Sequence, residues 1–153
     1  SDLRLMVSII KTITDLERIG DEAEKLGTNA LTLFNENSNN RHVVELRNLG
    51  DRVKKMLSRS LDAYARMDVV EALSIIKSDT LVNQEFENIS RLLIIKMMED
   101  PRGIKHALYI SWCARALERI GDHSKNICGY IVYLIKGKDV RHTSLEDIRK
   151  QIE

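Results

Sequence analysis

The chain has 153 residues, of which 43% are hydrophobic and 31% are charged, a balance typical of a soluble globular protein rather than a disordered one. Its 24 Lys and Arg residues nearly equal its 23 Asp and Glu residues, so the net charge of +1 lacks the positive excess of a nucleic-acid-binding surface. One proline and seven glycines are too few for the many turns of an all-β fold, which favours a few long helices.

The first predicted helix runs from about Leu3 to Phe34. Its apolar and small residues recur at alternating steps of three and four, which is typical of the buried stripe of a helix in a bundle. The predicted stripe consists of Met6, Ile9, Ile13, Leu16, Gly20, Ala23, Gly27, Ala30 and Phe34. A polar stretch over residues 35–40 then separates this helix from a second one, which is predicted from about Arg41 to Met67.

Local signals predict where the third and fourth helices begin and end. Asp68 is expected to cap a third helix that reaches about Glu99, with a glutamate three residues after the cap in capping-box position. Pro101 then opens a fourth helix that runs to about Lys136, where Gly137 is the expected C-terminal cap. The short connections predict that neighbouring helices are antiparallel, so the expected fold is an all-α, antiparallel helical bundle.

Nothing in the sequence predicts a membrane span or a disulfide. The longest apolar run, around residues 127–135, is far shorter than the roughly 20 residues that cross a bilayer. Cys113 and Cys128 lack the spacing of a metal site and are expected to be buried, reduced thiols. Such thiols are typical of a cytoplasmic protein.

One string of six residues occurs twice, because residues 16–21, Leu-Glu-Arg-Ile-Gly-Asp, return unchanged as residues 117–122, 101 positions later. A repeat of this kind identifies the unit of architecture. Helices two to four form a complete three-helix unit that ends in this motif. We therefore expect residues 1–36 to be the last helix of a truncated first repeat and residues 41–137 to be a complete second repeat. Residues 138–153 form a tail with room for a short helix.

Each copy of the motif carries two acidic residues four positions apart, Glu17 with Asp21 and Glu118 with Asp122. This spacing puts both carboxylates on one side of a helix, so their repulsion must be offset by an arginine, a lysine or a metal cation. The helical wheel places both pairs beside the predicted core stripe, where oxygen ligands would suit Mg, Mn, Fe or Ca. A solvated acidic face without metal is the alternative that the residues alone leave open.

A third candidate set lies on helix three, where Asp79, Asn83 and Glu87 follow one another at steps of four. Antiparallel packing would bring this set near Glu118 and Asp122 on helix four. The Glu-x-x-His pattern of di-iron enzymes built on helical bundles is missing, which counts against a carboxylate-bridged metalloenzyme. A plain polar face is again the alternative.

The motif also predicts how its helices pack. Gly20 and Gly121 each interrupt a helix at a cost of about 1 kcal/mol relative to alanine, which indicates close approach by a neighbouring helix. Arg18 and Arg119 lie about 100° round the helix from the adjacent glutamates, so they are predicted to pair with another helix. The four histidines, His123 among them, are expected at the surface or at the rim of the bundle.

The doubled Glu-Arg-Ile-Gly-Asp string resembles the PhoU family of phosphate-signalling regulators. The likeness extends over essentially the whole chain and is carried by residues 1–7, 16–21, 61–68, 82–87, 97–100, 117–122, 126–128 and 136–142. The resemblance implies a tandem of two three-helix bundles with multinuclear metal sites. By position, it assigns ligand roles to Glu17, Asp21, Asp79, Glu118 and Asp122. At position 83 the family often has Asp, and Asn83 is a weaker, neutral ligand.

The function that the resemblance implies is negative regulation of the phosphate-starvation response. The protein would be an adaptor between the ATPase of the Pst phosphate transporter and the PhoR sensor kinase, with no catalytic residues. It would be cytoplasmic, reach the membrane only through partners, and form a homo-oligomer such as a homodimer that exchanges helix one. The implied cofactors are divalent or ferric ions, Fe, Mn, Mg or Zn. A metalloenzyme of the carboxylate-bundle type and a metal-free structural bundle are the alternatives.

Overall fold

The computed structural model of the protein describes residues 2–35 and 42–137, and all regular structure within these ranges is helical, as predicted. The elements are α1 (Asp2–Asn35), α2 (Val43–Arg66), α3 (Val69–Glu99), a 3₁₀ turn (Pro101–Gly103) and α4 (Ile104–Lys136). The predicted tail over 138–153 and most of the predicted polar stretch lie outside the described residues. Within the described ranges, no helix combines the length and the apolarity that a membrane span requires.

The predicted helix ends are confirmed where a local signal marks them. The Asp68 carboxylate accepts a hydrogen bond from the backbone N–H of Glu71 at 3.0 Å, which caps α3. The capping box is not reciprocal, because the Glu71 carboxylate instead accepts from Arg59 Nε at 2.6 Å. Pro101 opens the 3₁₀ turn before α4, and Gly137 ends α4 at φ 73°, in the left-handed region that glycine adopts most readily.

Helix α4 is the centre of the bundle and packs against α1, α2 and α3. It buries 16 of its 33 residues, whereas α1 buries six of its 34 and packs mainly against α4. Cys113 and Cys128 are both buried on α4, as predicted. Burial raises the pKa of each thiol to about 11, so both stay protonated and act as core residues.

The predicted apolar stripe of α1 is not buried in this chain. Phe34 is 85% exposed, and Met6, Ile9 and Ile13 are exposed as well. The residues that α1 buries are mostly polar, namely Ser8, Thr12, Asp15, Ile19, Glu22 and Leu33. The prediction was wrong because α4 presents hydrogen-bonding side chains to α1, and the polar side of α1 matches them. Helix α1 therefore has a polar face on α4 and an open apolar face.

Candidate functional site

The second copy of the motif lies in the middle of α4, where it packs closely against α3. A Cβ atom on Gly121 would lie 3.4 Å from Val82 Cγ1 and 3.8 Å from Asp79 Oδ1. The missing side chain therefore lets the two helices approach, as predicted for this glycine. The approach also brings a carboxylate of α3 next to the acidic pair of α4.

The α3 carboxylate of this site is buried and only partly hydrogen bonded. Asp79 is 3% exposed, and its Oδ1 atom has no hydrogen-bond partner among the residues that the structure describes. Its Oδ2 atom accepts from Asn83 Nδ2 at 3.3 Å and lies 3.6 Å from Lys125 Nζ. A buried carboxylate oxygen without a donor is costly, so this atom is a ready ligand for a cation.

The α4 carboxylates are close enough to influence each other. Burial, together with the negative charges of Asp79 and Glu118, raises the pKa of Asp122 from its ordinary 3.8 to about 6. Glu118 is mostly buried, and both of its oxygens accept from Arg115 Nη1 at 3.3 Å. The structure thus brings the charges of three predicted ligands, Asp79, Glu118 and Asp122, close enough to interact, with Asn83 beside Asp79, although the three carboxylates do not surround one point.

The other predicted ligands are less well placed. Glu17 and Asp21 are exposed on α1, although Asp21 lines a cavity of about 370 Å³ together with Asp122. Glu87 is exposed on α3 and lies 3.9 Å from Arg91. The prediction of close approach was wrong for Gly20, because no described atom lies within 4 Å of a Cβ built there. Across residues 2–35 and 42–137, no three His, Cys, Asp or Glu side chains are arranged to hold a metal ion.

Sequence reasoning missed a polar network between α1 and α4. The Asp15 carboxylate accepts from Tyr130 Oη at 2.6 Å and from Asn126 Nδ2 at 3.2 Å, and it lies 2.7 Å from His123 Nδ1. The signal in the sequence is the spacing of the three α4 residues, which puts them on one side of that helix. His106, which was expected at the surface or rim, is buried.

The two copies of the motif face each other across the interface between α1 and α4. The helices are antiparallel, since Arg4 stacks on Tyr133 while Glu22, further along α1, pairs with Arg119 at 3.5 Å. These two contacts place residues 20 and 121 at the middle level of the interface, although a side chain added at either glycine would point away from the opposite helix. The prediction that Arg119 pairs with another helix is confirmed.

Comparison with known proteins identifies the family of this chain. The profile of the PhoU domain matches residues 46–131. The Phosphate-specific transport system accessory protein PhoU homolog of Pseudomonas aeruginosa is 47% identical over 153 residues, which cover 100% of this chain and 63% of that protein. The chain belongs to the PhoU family. The Phosphate-specific transport system accessory protein PhoU of Escherichia coli K12 is 47% identical over 150 residues, or 98% of this chain and 62% of that protein.

Solved PhoU structures share this helical bundle. The crystal structure of PhoU from Pseudomonas aeruginosa matches with a TM-score of 0.86 and 47% identity over 90% of this chain and 66% of that chain. The phosphate transport system regulatory protein PhoU from Streptococcus pneumoniae matches with a TM-score of 0.81 and 30% identity over 91% of this chain and 65% of that one. The chain spans less than two thirds of the length of the curated PhoU relatives it matches.

Proposed function

We propose that this PhoU-family chain regulates the phosphate-specific transport system as an adaptor, linking the transporter ATPase to a PhoR-type sensor kinase on the cytoplasmic side. The observation that carries the proposal is 47% identity across essentially the whole chain to proteins named as accessory proteins of that system. The role needs binding surfaces and no catalytic step.

Co-purification tests the adaptor role directly. The tagged protein is expected to retain both the ATPase subunit and the kinase from a detergent extract. Retention of neither partner would contradict the proposal. Retention of the ATPase alone would restrict the role to regulation of transport.

We further propose that the carboxylates of α3 and α4 hold a metal ion of the Fe, Mn, Mg or Zn group. The unpartnered Asp79 Oδ1 atom and the raised pKa of Asp122 support this, because a cation would satisfy the first and relieve the second. Asp79, Glu118 and Asp122 would be the ligands, with Asn83 as a weaker one. The metal would supply positive charge that holds two helices together.

Metal analysis of the purified protein, after dialysis against each ion in turn, tests this site. The unchanged chain is expected to retain metal, and the Glu118→Ala/Asp122→Ala variant is expected to lose it. Glu87→Ala is the matched control, because Glu87 is exposed and is not gathered with the other carboxylates. Metal at background level in every sample would overturn the metal proposal and leave the adaptor role standing.

We also propose that the open face of α1 is covered by two helices of an earlier repeat. The surroundings of Gly121 support this, since Val82 and Met56 pack where the equivalent Gly20 has no neighbour. The curated relatives are longer than this chain and therefore have room for such a segment. Adding the unmatched 37% of the Pseudomonas aeruginosa relative should slow amide exchange in α1. A stable homodimer that ignores this segment would instead favour exchange of α1 between copies.

A further inference from the structure

A second cavity, of about 300 Å³, lies between α1 and α4 on the side of the Asp15 network. Lys11 and Arg18 line its α1 wall, and His123 and Asn126 line its α4 wall. Both cations are exposed, and within residues 2–35 and 42–137 neither one forms an ion pair. Lys11 Nζ lies 6.0 Å from the centre of the Tyr130 ring, and Asp15 is the acidic residue of this lining, so the cavity carries one more positive than negative side chain.

The internal repeat explains why Arg18 lacks an acidic partner. At one end of the α1–α4 interface, Arg119 lies 3.5 Å from the carboxylate of Glu22. In the repeat, Arg18 is the counterpart of Arg119 and His123 is the counterpart of Glu22, because the residues of each pair are 101 positions apart. At this second end, the arginine shares a cavity with an imidazole, where the first end has a carboxylate. The half of the interface that contains Arg18 and His123 therefore has one carboxylate fewer than the half that contains Arg119 and Glu22.

The acid at the floor of the cavity does not supply that charge. Asp15 is 5% exposed, and its two oxygens are already engaged by Tyr130, Asn126 and His123. The contact at His123 Nδ1 fixes the orientation of the ring, so Nε2 lies on the ring edge away from Asp15. Asp15, which belongs to α1, therefore holds the side chains of the α4 wall in place, and within the described residues its oxygens form no ion pair with Lys11 or Arg18.

We propose that this cavity binds a small tetrahedral oxyanion of the phosphate or sulfate class. Arg18 would bind two oxygens through its planar guanidinium, and Lys11 would add a second positive charge. A volume of about 300 Å³ is at the lower end of the range for ligand sites, which suits a hydrated inorganic anion. The site depends neither on the adaptor role nor on a bound metal, because it uses none of the proposed metal ligands.

Calorimetric titration of the whole chain with inorganic phosphate, at constant ionic strength and in the presence of a chelator, tests the proposal. Saturable binding is expected, and Arg18→Gln should weaken it at least about ten-fold, the loss of one charge-assisted contact. Arg119→Gln is the matched control, because Glu22 already neutralises the Arg119 guanidinium. The affinity of this variant for phosphate should stay within about two-fold of that of the unchanged chain. Lys11→Gln is a second variant on the same wall and should also weaken binding.

Further binding measurements distinguish recognition of a free inorganic anion from recognition of a lipid headgroup. Inorganic sulfate is expected to compete with phosphate, since the site recognises a tetrahedral dianion by charge. Absence of binding up to about 10 mM phosphate would overturn the proposal, as would equal losses in Arg18→Gln and Arg119→Gln. Binding to phosphatidylglycerol vesicles without binding to free phosphate would also overturn it, because the surface would then recognise a membrane.

Discussion

The same six residues occupy two different environments in this molecule. In α4, Leu117 is 6% exposed and a Cβ on Gly121 would meet α3. In α1, Leu16 is 38% exposed and no described atom lies within 4 Å of a Cβ on Gly20. The helices themselves are alike, so the difference comes from what packs against them. Within residues 2–35 and 42–137, only the α4 copy has two further helices, α2 and α3, against its leucine and glycine.

The shared part of the two environments shows what each residue of the motif does. Ile19 and Ile120 are 7% and 6% exposed, and both lie where the two copies pack together. The isoleucine thus belongs to the contact between the copies. The leucine and the glycine face the other helices of their own three-helix unit. One short string therefore encodes two packing surfaces, about 60° to 100° apart on the helix.

Truncating the leucines should give the largest difference between the copies. Leu117→Ala removes a buried side chain that packs on Gly50, so we expect it to lower the free energy of unfolding by about 3 kcal/mol. Leu16→Ala should cost less than about 1 kcal/mol, because much of that side chain is already in water. Urea unfolding followed by circular dichroism measures both. Equal losses would mean that the face of α1 is covered in solution.

Replacing each glycine by valine should give the second-largest difference in stability between the two copies of the motif. Gly121→Val would force its methyl groups into Val82 and is expected to cost about 2 kcal/mol of stability. At Gly20 no described atom lies within 4 Å of an added Cβ, so Gly20→Val should change stability by less than about 0.5 kcal/mol, since valine is a slightly better helix former than glycine. The same unfolding experiment applies. A large loss in Gly20→Val would reveal a partner on α1.

Asp122, the aspartate of the α4 copy, should make the free energy of unfolding depend on pH. Burial, followed by the charges of Asp79 and Glu118, raises the pKa of Asp122 from its ordinary 3.8 to about 6. Between these values the folded chain holds a proton that the unfolded chain has released, so stability should fall as pH rises through this window. With chelator present, Asp122→Asn should therefore be more stable than the unchanged chain at pH 7, by about 1 to 2 kcal/mol after allowance for solvent screening.

Asp21→Asn is the control for this effect, because Asp21 is exposed and should leave the pH dependence unchanged. Below about pH 4, where the unfolded chain is also protonated, the advantage of Asp122→Asn should vanish. An advantage that persists there would have to come from packing rather than from charge. Added divalent metal should stabilise the unchanged chain above pH 6 and leave Asp122→Asn unaffected.

The sequence predicted those features that depend on neighbours along the chain. The Asp68 cap and the Gly137 terminus follow from local backbone chemistry, and both were predicted correctly. The apolar stripe of α1 was identified as a surface, but periodicity does not say which neighbour covers it. The Asp15 network escaped prediction because it depends on the register between α1 and α4, which no local pattern records.

In the candidate site, too, some residue positions were predicted from the sequence and others were not. Antiparallel packing of α3 and α4 was enough to bring Asp79 near Asp122, as predicted. Glu87 lies two turns further along α3, about 12 Å from Asp79, where it meets solvent and Arg91 instead. Three side chains at equal spacing on α3 therefore do not all reach one site, because the carboxylates of α4 lie at one level along the helix axis.

The arginines of the motif should show the smallest difference. Arg119→Gln removes a cation from beside the mostly buried carboxylate of Glu22 and is expected to cost about 0.5 to 1 kcal/mol, less at high salt. Arg18→Gln should cost nothing in anion-free buffer, because no described acid pairs with that guanidinium. A double-mutant cycle with Glu22→Gln measures the Arg119 pair alone. Equal costs for both arginines would show that Arg18 finds a carboxylate in solution, and the two ends of the α1–α4 interface would then be electrostatically equivalent.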